Sequence, residues 1–509
     1  MRLFQTIAFV LSLSFGSLVR GEQLPNIVFI LADDLGYGDV GCYNADSNIP
    51  TPHLDQLARD GMRFTDAHSP ATVCTPTRYS LLTGRMCFRT NRSRVFSGVG
   101  GPCLIEDERL TLPEMLKTKG YTSAIFGKWH VGMSFFDQSG ERISKRGNAG
   151  VLEIDYSKAV RGGPLDHGFD QFFGTACCPT TDWLYAYIEG DRIPVPPVKQ
   201  VDKSTLPKHP YANDCRPGMI APNFDLEEVD MVFLQKSQDF LKKQTAENPE
   251  QPFFLFHSLQ AVHLPSFPAK QFQGKSGSGP HGDFIYQMDW IVGELMKTLK
   301  ELGIAQNTIV MFGSDNGPEV PTVIAMRRDH KHDGAKPWRG VKRDQWEGGH
   351  RTPFIVKWPK VIKGGSISDE LVSLTDVFAT CAAITGSIYP KNSGEDSFDL
   401  NAVFRGMQKG AFRPYLLQQT FAKKLSIRQG DWKLIAHKGS GGNNYDKVNE
   451  WSMGQYALPE RDPEAPMQLF NLKDDPGETI NLYSQNPEIV NKLNALLEES
   501  IRTGRTGPE

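Results

Sequence analysis

The sequence predicts an α/β protein: a large mixed, mostly parallel sheet with helices on both faces, followed by a small C-terminal α+β unit with an antiparallel sheet. Three observations predict it. Four apolar runs, Asn26–Ala32, Tyr121–Phe126, Pro252–Phe256 and Thr308–Phe312, are rich in β-branched and aromatic residues and do not alternate with polar ones. Strands buried on both faces of a parallel sheet have that character. Helical patterns alternate with the runs, and the order β, α, β, α places helices against the sheet. Each run also leads into polar residues: Asp33-Asp34, Lys128-Trp129-His130, His257 with His263 further on, and Asp315-Asn316. Ligands of open α/β sheets bind beyond the carboxyl ends of the strands, where these residues fall.

Taken in order, residues 1–21 read as a secretory signal, with Arg2 first, an apolar run from Ile7 to Val19 and small Gly21 at a cleavage position. The expected product is exported. Residues 22–400 form the expected catalytic domain and 401–509 the C-terminal subdomain, because composition shifts to a loop-rich connection near 385–412. Helices are expected at Pro50–Met62, Glu227–Lys243 and Asp283–Leu302, the last with Ile285, Met288, Ile291, Val292, Leu295, Leu299 and Leu302 on one side. Stretches 135–168, 190–222, 264–282, 317–337 and 436–466 lack periodicity and read as loops, which commonly carry binding function. In the C-terminal part, Leu425–Gln429 and Trp432–Ala436 flank Gly430-Asp431 as a hairpin. Asn486 and Pro487 open a last helix with a stripe of Ile489, Leu493, Leu496, Leu497 and Ile501.

The 509 residues are 39% hydrophobic with a net charge of -3, ample for a large core. Near-neutral charge gives no basis for a nucleic-acid or membrane-surface partner, and no later segment reaches transmembrane length. The cysteines, Cys42, Cys74, Cys87, Cys103, Cys177, Cys178, Cys215 and Cys381, have no zinc-site spacing, and Cys87 with Cys103 is a possible disulfide. Asn91-Arg92-Ser93 is a glycosylation sequon.

Two groups of residues suggest chemistry. In Cys74-Thr75-Pro76-Thr77-Arg78, Pro76 suits a helix N1 position and Gly84 a C-terminal stop. Cys74 then lies at the positive end of a short helix, with Arg78 one turn on and facing the same way. Asp33, Asp34, Asp315 and Asn316 offer three carboxylates and an amide oxygen, a set suited to calcium or magnesium and not to zinc.

C-x-P-x-R followed by x-x-x-L-T-G-R, here Cys74–Arg85, is the signature of the sulfatase family, which this chain resembles at every fixed position. Gly127-Lys128-Trp129-His130 is similar to the family's G-K-W-H string, Ala261–Pro265 to its H-x-P element around His263, and Arg339–Pro353 to its G-x-K and W-E-G-G-x-R-x-P strings around Lys342. Leu469–Leu482 resembles its C-terminal region. The resemblance implies an alkaline phosphatase-like fold and a Cys74 oxidised to formylglycine by a maturation enzyme, which leaves at most three disulfides. It implies one calcium ion held by Asp33, Asp34, Asp315, Asn316 and modified Cys74, and catalytic roles for Cys74, Arg78, Lys128, His130, His263 and Lys342. In that scheme one hydroxyl of the formylglycine hydrate attacks sulfur in a sulfate ester, and the second lets the aldehyde reform and expel sulfate, with His130 as base. Lys128, Lys342 and His263 neutralise the anion, His263 or Lys342 protonates the leaving alcohol, and Arg78 holds the hydrate. One segment departs from the family: after Gly168–Gly174 the chain reads Thr175–Trp183, where many sulfatases have a serine, so Thr180, Thr181 or Asp182 could line the pocket.

Two alternatives remain at this level. One is a phosphatase or phosphodiesterase of the same superfamily, which would need two metals and more histidines; the other is a non-catalytic binder of sulfated glycans. The expected substrate is an aryl or carbohydrate sulfate.

Overall fold

Nine strands make the main sheet: β1 (Asn26–Ala32), β2 (Met62–Phe64), β3 (Thr122–Lys128), β4 (Gln171–Thr175), β5 (Ile188–Glu189), β6 (Phe253–Ser258), β7 (Thr308–Ser314), β8 (Phe354–Lys357) and β9 (Ser366–Ser368). Their order is β9-β2-β8-β7-β1-β6-β3-β4-β5. The four apolar runs become the adjacent strands β7, β1, β6 and β3, all mutually parallel. Their tips therefore share one edge. Every residue of β1, β6 and β7 is buried, which requires cover on both faces of the sheet. The computed structural model describes residues 23–90, 95–99, 101–212, 214–445, 458 and 462–508. The expected signal at 1–21 and the sequon at Asn91 lie outside the described residues, apart from which no helix is long and apolar enough to cross a membrane.

The covering helices form two groups. Helices α1 (Pro52–Asp60), α4 (Val229–Glu247) and α5 (Gly279–Glu301) pack in a row, with α4 on β3 and β6. Helices α2 (Cys74–Thr83), α3 (Leu112–Lys117) and α7 (Val377–Thr385) pack on one another, with α3 on β3. Leu400, Val403 and Phe404 still belong to this main core. A separate antiparallel sheet follows, β10 (Leu416–Gln419), β11 (Leu425–Gln429), β12 (Trp432–Ile435) and β13 (Gln468–Asn471), covered by α8 (Pro487–Thr503). Leu417, Ile427, Leu434, Leu469, Val490, Leu493 and Leu497 form its own core.

Several expectations change. Helix α1 ends at Asp60 because Met62 enters β2. The stretch 317–337 contains helix α6 (Val320–His330), whose start is set by the Glu319 carboxylate accepting from the Val320 N–H and by Pro321 in the first turn. Among the described residues no disulfide joins Cys87 to Cys103 or links any other pair of cysteines. Asn486 does not cap α8 with its side chain, which donates instead to the Leu482 carbonyl, and Ile501 lies exposed.

A buried seam of charge joins the two sheets. Asp66 takes both oxygens to the Arg428 guanidinium at 2.8 and 2.7 Å, and Glu347 meets Lys433 at 2.9 Å and Arg351 at 3.2 Å. Arg428 and Lys433 come from β11 and β12, Asp66, Glu347 and Arg351 from the main domain, and Lys433 also meets Glu478 of the C-terminal part at 2.9 Å.

Candidate active site

Helix α2 begins at Cys74, so Pro76 is the third helical residue and not the first. Cys74 thus occupies N1, where the helix dipole favours negative charge, and Arg78 follows one turn on. Gly84 ends the helix at φ 66°, where a side chain would be strained and would strike Phe378. Arg78 is fully buried and links three strand tips. It donates to Asp315 Oδ2 from Nε at 3.0 Å and from Nη2 at 2.8 Å, to the Lys128 carbonyl at 3.0 Å and to Ser258 Oγ at 2.6 Å.

The remaining sequence-predicted residues converge on this helix end. Lys128 pairs with Asp33 Oδ2, and Lys342 Nζ lies 2.7 and 2.8 Å from the two oxygens of Asp34. Asn316 donates from Nδ2 to Asp34 Oδ1 at 2.7 Å and to the Gly317 carbonyl at 2.9 Å. Donor atoms of Asp33, Cys74 and Asp315 lie within 4.8 Å of one another, as do those of Asp33, Asp34 and His263. The two acidic pairs and Cys74 therefore meet in one place. Asp34 and His130 hold positive φ, 63° and 57°, a conformation costly for non-glycine residues and typical of functional sites.

The charges are balanced unevenly. Burial would raise the Asp33 carboxyl, but Lys128, His263 and Arg78 outweigh it and hold it far below its ordinary value. Burial and the neighbouring Asp33 charge push Asp315 up to about 6 against the pull of Arg78. Among the side-chain oxygens of Asp33, Asp34, Asp315 and Asn316, the buried Asp33 Oδ1 and Asn316 Oδ1 have no hydrogen-bond partner. A buried acceptor without a donor is costly, so these free oxygens beside three carboxylates fit a hard cation.

A cavity of about 410 Å³ opens beside this cluster, within the range of small-ligand sites. Cys74, His130, Cys178, His263 and Lys342 line its inner end. His130 donates from Nε2 to the Phe96 carbonyl at 2.9 Å, and His263 from Nδ1 to the Leu264 carbonyl at 2.5 Å. Their other nitrogens face Cys178 Sγ at 3.9 and 3.8 Å. Burial would lower both imidazoles, but Cys74 and Cys178 raise His130, and Cys178 with Asp34 and Asp33 raises His263, each to about 10. His257, the other histidine near β6, instead bonds Ser237 Oγ at 2.8 Å under helix α4.

Sequence reasoning missed several groups in this cavity. Cys178, Asp214, Arg216, Glu319, Arg343, Phe421 and Gly442 all line it, and of the threonines and aspartate left open, Thr181 and Asp182 do so. Thr180 is turned inward, accepting from Gln260 Nε2 at 2.7 Å. Asp214, Arg216, Glu319 and Gly442 fall in stretches read as loops, Arg343 inside the string around Lys342 and Cys178 in the departing segment after Gly174, while Phe421 carries no sequence signal.

Comparison with known proteins shows the family and the fold. The sulfatase family model matches residues 25–387. An N-acetylgalactosamine-6-O-sulfatase of Bacteroides thetaiotaomicron is 31% identical over 95% of this chain and 94% of its own. Human arylsulfatase A is 32% identical over 93% of this chain and 87% of its own. Among solved structures, one from a study of glycosaminoglycan metabolism by Bacteroides thetaiotaomicron superposes with a TM-score of 0.78 at 28% identity, covering 94% of this chain and all of that one. A Pseudoalteromonas sulfatase gives 0.70 at 26%, covering 94% and 90%.

Proposed function

The chain belongs to the sulfatase family, whose members hydrolyse sulfate esters, and on that premise we propose that it removes sulfate from a carbohydrate using a formylglycine at position 74 and one bound calcium ion. The observation that carries this reading is the pair of unpartnered buried oxygens, Asp33 Oδ1 and Asn316 Oδ1, beside the N-terminus of the helix that bears Cys74. Asp33, Asp34, Asp315, Asn316 and residue 74 would hold the cation, which when bound supplies positive charge against the sulfuryl group.

The chain's own residues do the rest. Lys342 and His263 line the inner cavity and Lys128 lies buried behind it on Asp33, so positive charge faces the place where an anion would develop, shielded from bulk water by the surrounding protein. His263 faces the cavity, and Cys178, Asp34 and Asp33 raise its pKa against burial, so it is placed to give a proton to the departing alcohol. His130 owes part of its raised pKa to the Cys74 sulfur. Oxidation of the Cys74 β-carbon to a hydrated aldehyde, with loss of the sulfur, would remove this influence and leave His130 neutral more often and so able to accept a proton from the second hydroxyl. Arg78, locked to Asp315, fixes the acidic groups relative to helix α2.

A carbohydrate substrate accords with the named activity of the Bacteroides relative and with a cavity walled by Thr181, Asp182, Asp214 and Arg216, groups that bond hydroxyls. The N-terminal 21 residues would direct export, and a maturation enzyme would act on Cys74 before folding buries it. Mass spectrometry of the peptide around Cys74 from the native host should show the aldehyde. Cys74→Ser should become sulfated without turning over, since a serine ester has no second hydroxyl to expel sulfate; sustained turnover by that variant would reject the mechanism.

A further inference from the structure

A second cavity, of about 500 Å³, adjoins the reaction pocket, and Gly442 lines both. Its described lining carries three cations, Arg339, Lys424 and Lys438, and no carboxylate. Among the described residues the Lys424 ammonium has no hydrogen-bond or ion-pair partner, and that of Lys438 donates to the Pro463 carbonyl at 2.8 Å, which orients the charge without neutralising it. Two rings line the same space: Trp346 and Tyr445 meet edge to face at 5.2 Å, with the Arg339 guanidinium 3.5 Å over Trp346. Cations beside aromatic surface suit a sugar bearing an oxyanion.

The loop between the two cavities is fixed to the catalytic segment. Asn443 donates to the Lys342 carbonyl and to Asp344 Oδ1, each at 2.8 Å, and the Gln345 N–H donates to the Ser440 carbonyl at 2.7 Å. A Cβ at Gly442 would collide with the Arg343 carbonyl, so only a glycine lets the loop lie this close. One loop thus walls both the reacting group and its neighbour.

We propose that the second cavity is a subsite for an oxyanion on the sugar residue next to the sulfated one, so that the preferred substrate is an oligosaccharide whose neighbouring residue carries a carboxylate or a further sulfate. The proposal rests on the sulfate-ester reading above. The test uses the full-length protein and its K424Q/K438Q double variant, both substitutions being at exposed positions. Substrates are an aryl sulfate and three disaccharides sulfated on the target residue, with a neutral, a uronate or a sulfated neighbour. Wild type should favour a charged neighbour. The double variant should lose about tenfold in kcat/KM on that disaccharide, through KM, with the neutral disaccharide and aryl sulfate within about twofold of wild type. Whichever arm responds, uronate or sulfate, identifies the oxyanion. Equal loss on all four substrates, or no preference in wild type, overturns the proposal. Absence of sulfate release from every substrate would count against the sulfate-ester reading instead, and equilibrium binding of the same disaccharides to the two proteins then decides the subsite on the same criteria.

Discussion

Two clusters of buried charge in this molecule look alike on paper and differ in what they can do. At the strand tips, Asp33, Asp34, Asp315, Lys128, Lys342 and Arg78 are packed together; in the seam between the sheets, Asp66, Glu347, His68, His350, Arg428 and Lys433 are. Each contains three potential metal-ligating side chains with donor atoms within 4.8 Å. In the seam, however, the Lys433 ammonium lies 2.9 Å from Glu347 and 3.2 Å from His350 Nε2, where a metal would have to sit. Both oxygens of Asp66 and of Glu347 already have cationic partners. At the strand tips Asp33 Oδ1 and Asn316 Oδ1 have none. The seam's own unbonded acceptor, Glu478 Oε1, lies 2.9 Å from the Lys433 ammonium, so the difference teaches that a cation site needs unsatisfied acceptors that no side-chain cation already faces.

The comparison can be broken most severely at Lys433. Lys433→Met should take the shared ammonium from Glu347 Oε1 and Glu478 Oε1, leaving only Arg351 and Arg428 beside Glu347, and cost about 3–5 kcal/mol in chemical denaturation. A cost under about 1 kcal/mol would mean the seam is not held by this pair. Next, Lys128→Ala, Lys342→Ala or His263→Ala should each lower kcat by about 10²–10³ on an aryl sulfate. A loss below tenfold at any one would remove it from the machinery. A smaller effect separates the clusters directly: adding calcium at about 100 times its Kd to chelator-treated protein should raise stability by about 2.7 kcal/mol, and Lys433→Met should retain the same increment. An increment that vanishes in Lys433→Met would place the cation in the seam.

The smallest effect concerns acid. Arg351 and Arg428 overcome the burial that would raise Asp66 and hold its carboxyl well below its ordinary value. Stability from a depressed carboxylate is present above its unfolded pKa and lost as pH falls through the folded one. Wild type should therefore lose on the order of 1 kcal/mol more than Asp66→Asn as pH drops below about 4. Parallel acid limbs for the two proteins would refute the assignment.

The strand tips were legible in the sequence because a fully buried strand must be apolar throughout and must stop where its polar residues begin. That logic placed Asp33, Lys128 and Asp315 at one edge before any coordinates. The outer cavity was not legible, since Asp214, Arg216, Phe421 and Gly442 come from loops and a second sheet with no shared periodicity. Helix α6 escaped notice because Pro321 and its run of charged residues resemble a loop, although Glu319 supplies a cap that sequence could have suggested. The paired Cys87 and Cys103 failed for a plainer reason: spacing along the chain says nothing of the distance between two buried thiols.

Phe421 and Gly442 belong to the C-terminal part, yet they close the cavity whose reacting end lies on the main sheet. On the proposed reading, part of the wall that meets the sugar comes from a stretch of polypeptide separate from the strand tips, the rest from main-domain loops carrying Thr181, Asp182, Asp214 and Arg216. Exchange of residues 416–445 between homologous proteins could redirect which sugar is accepted while leaving the cleavage step untouched.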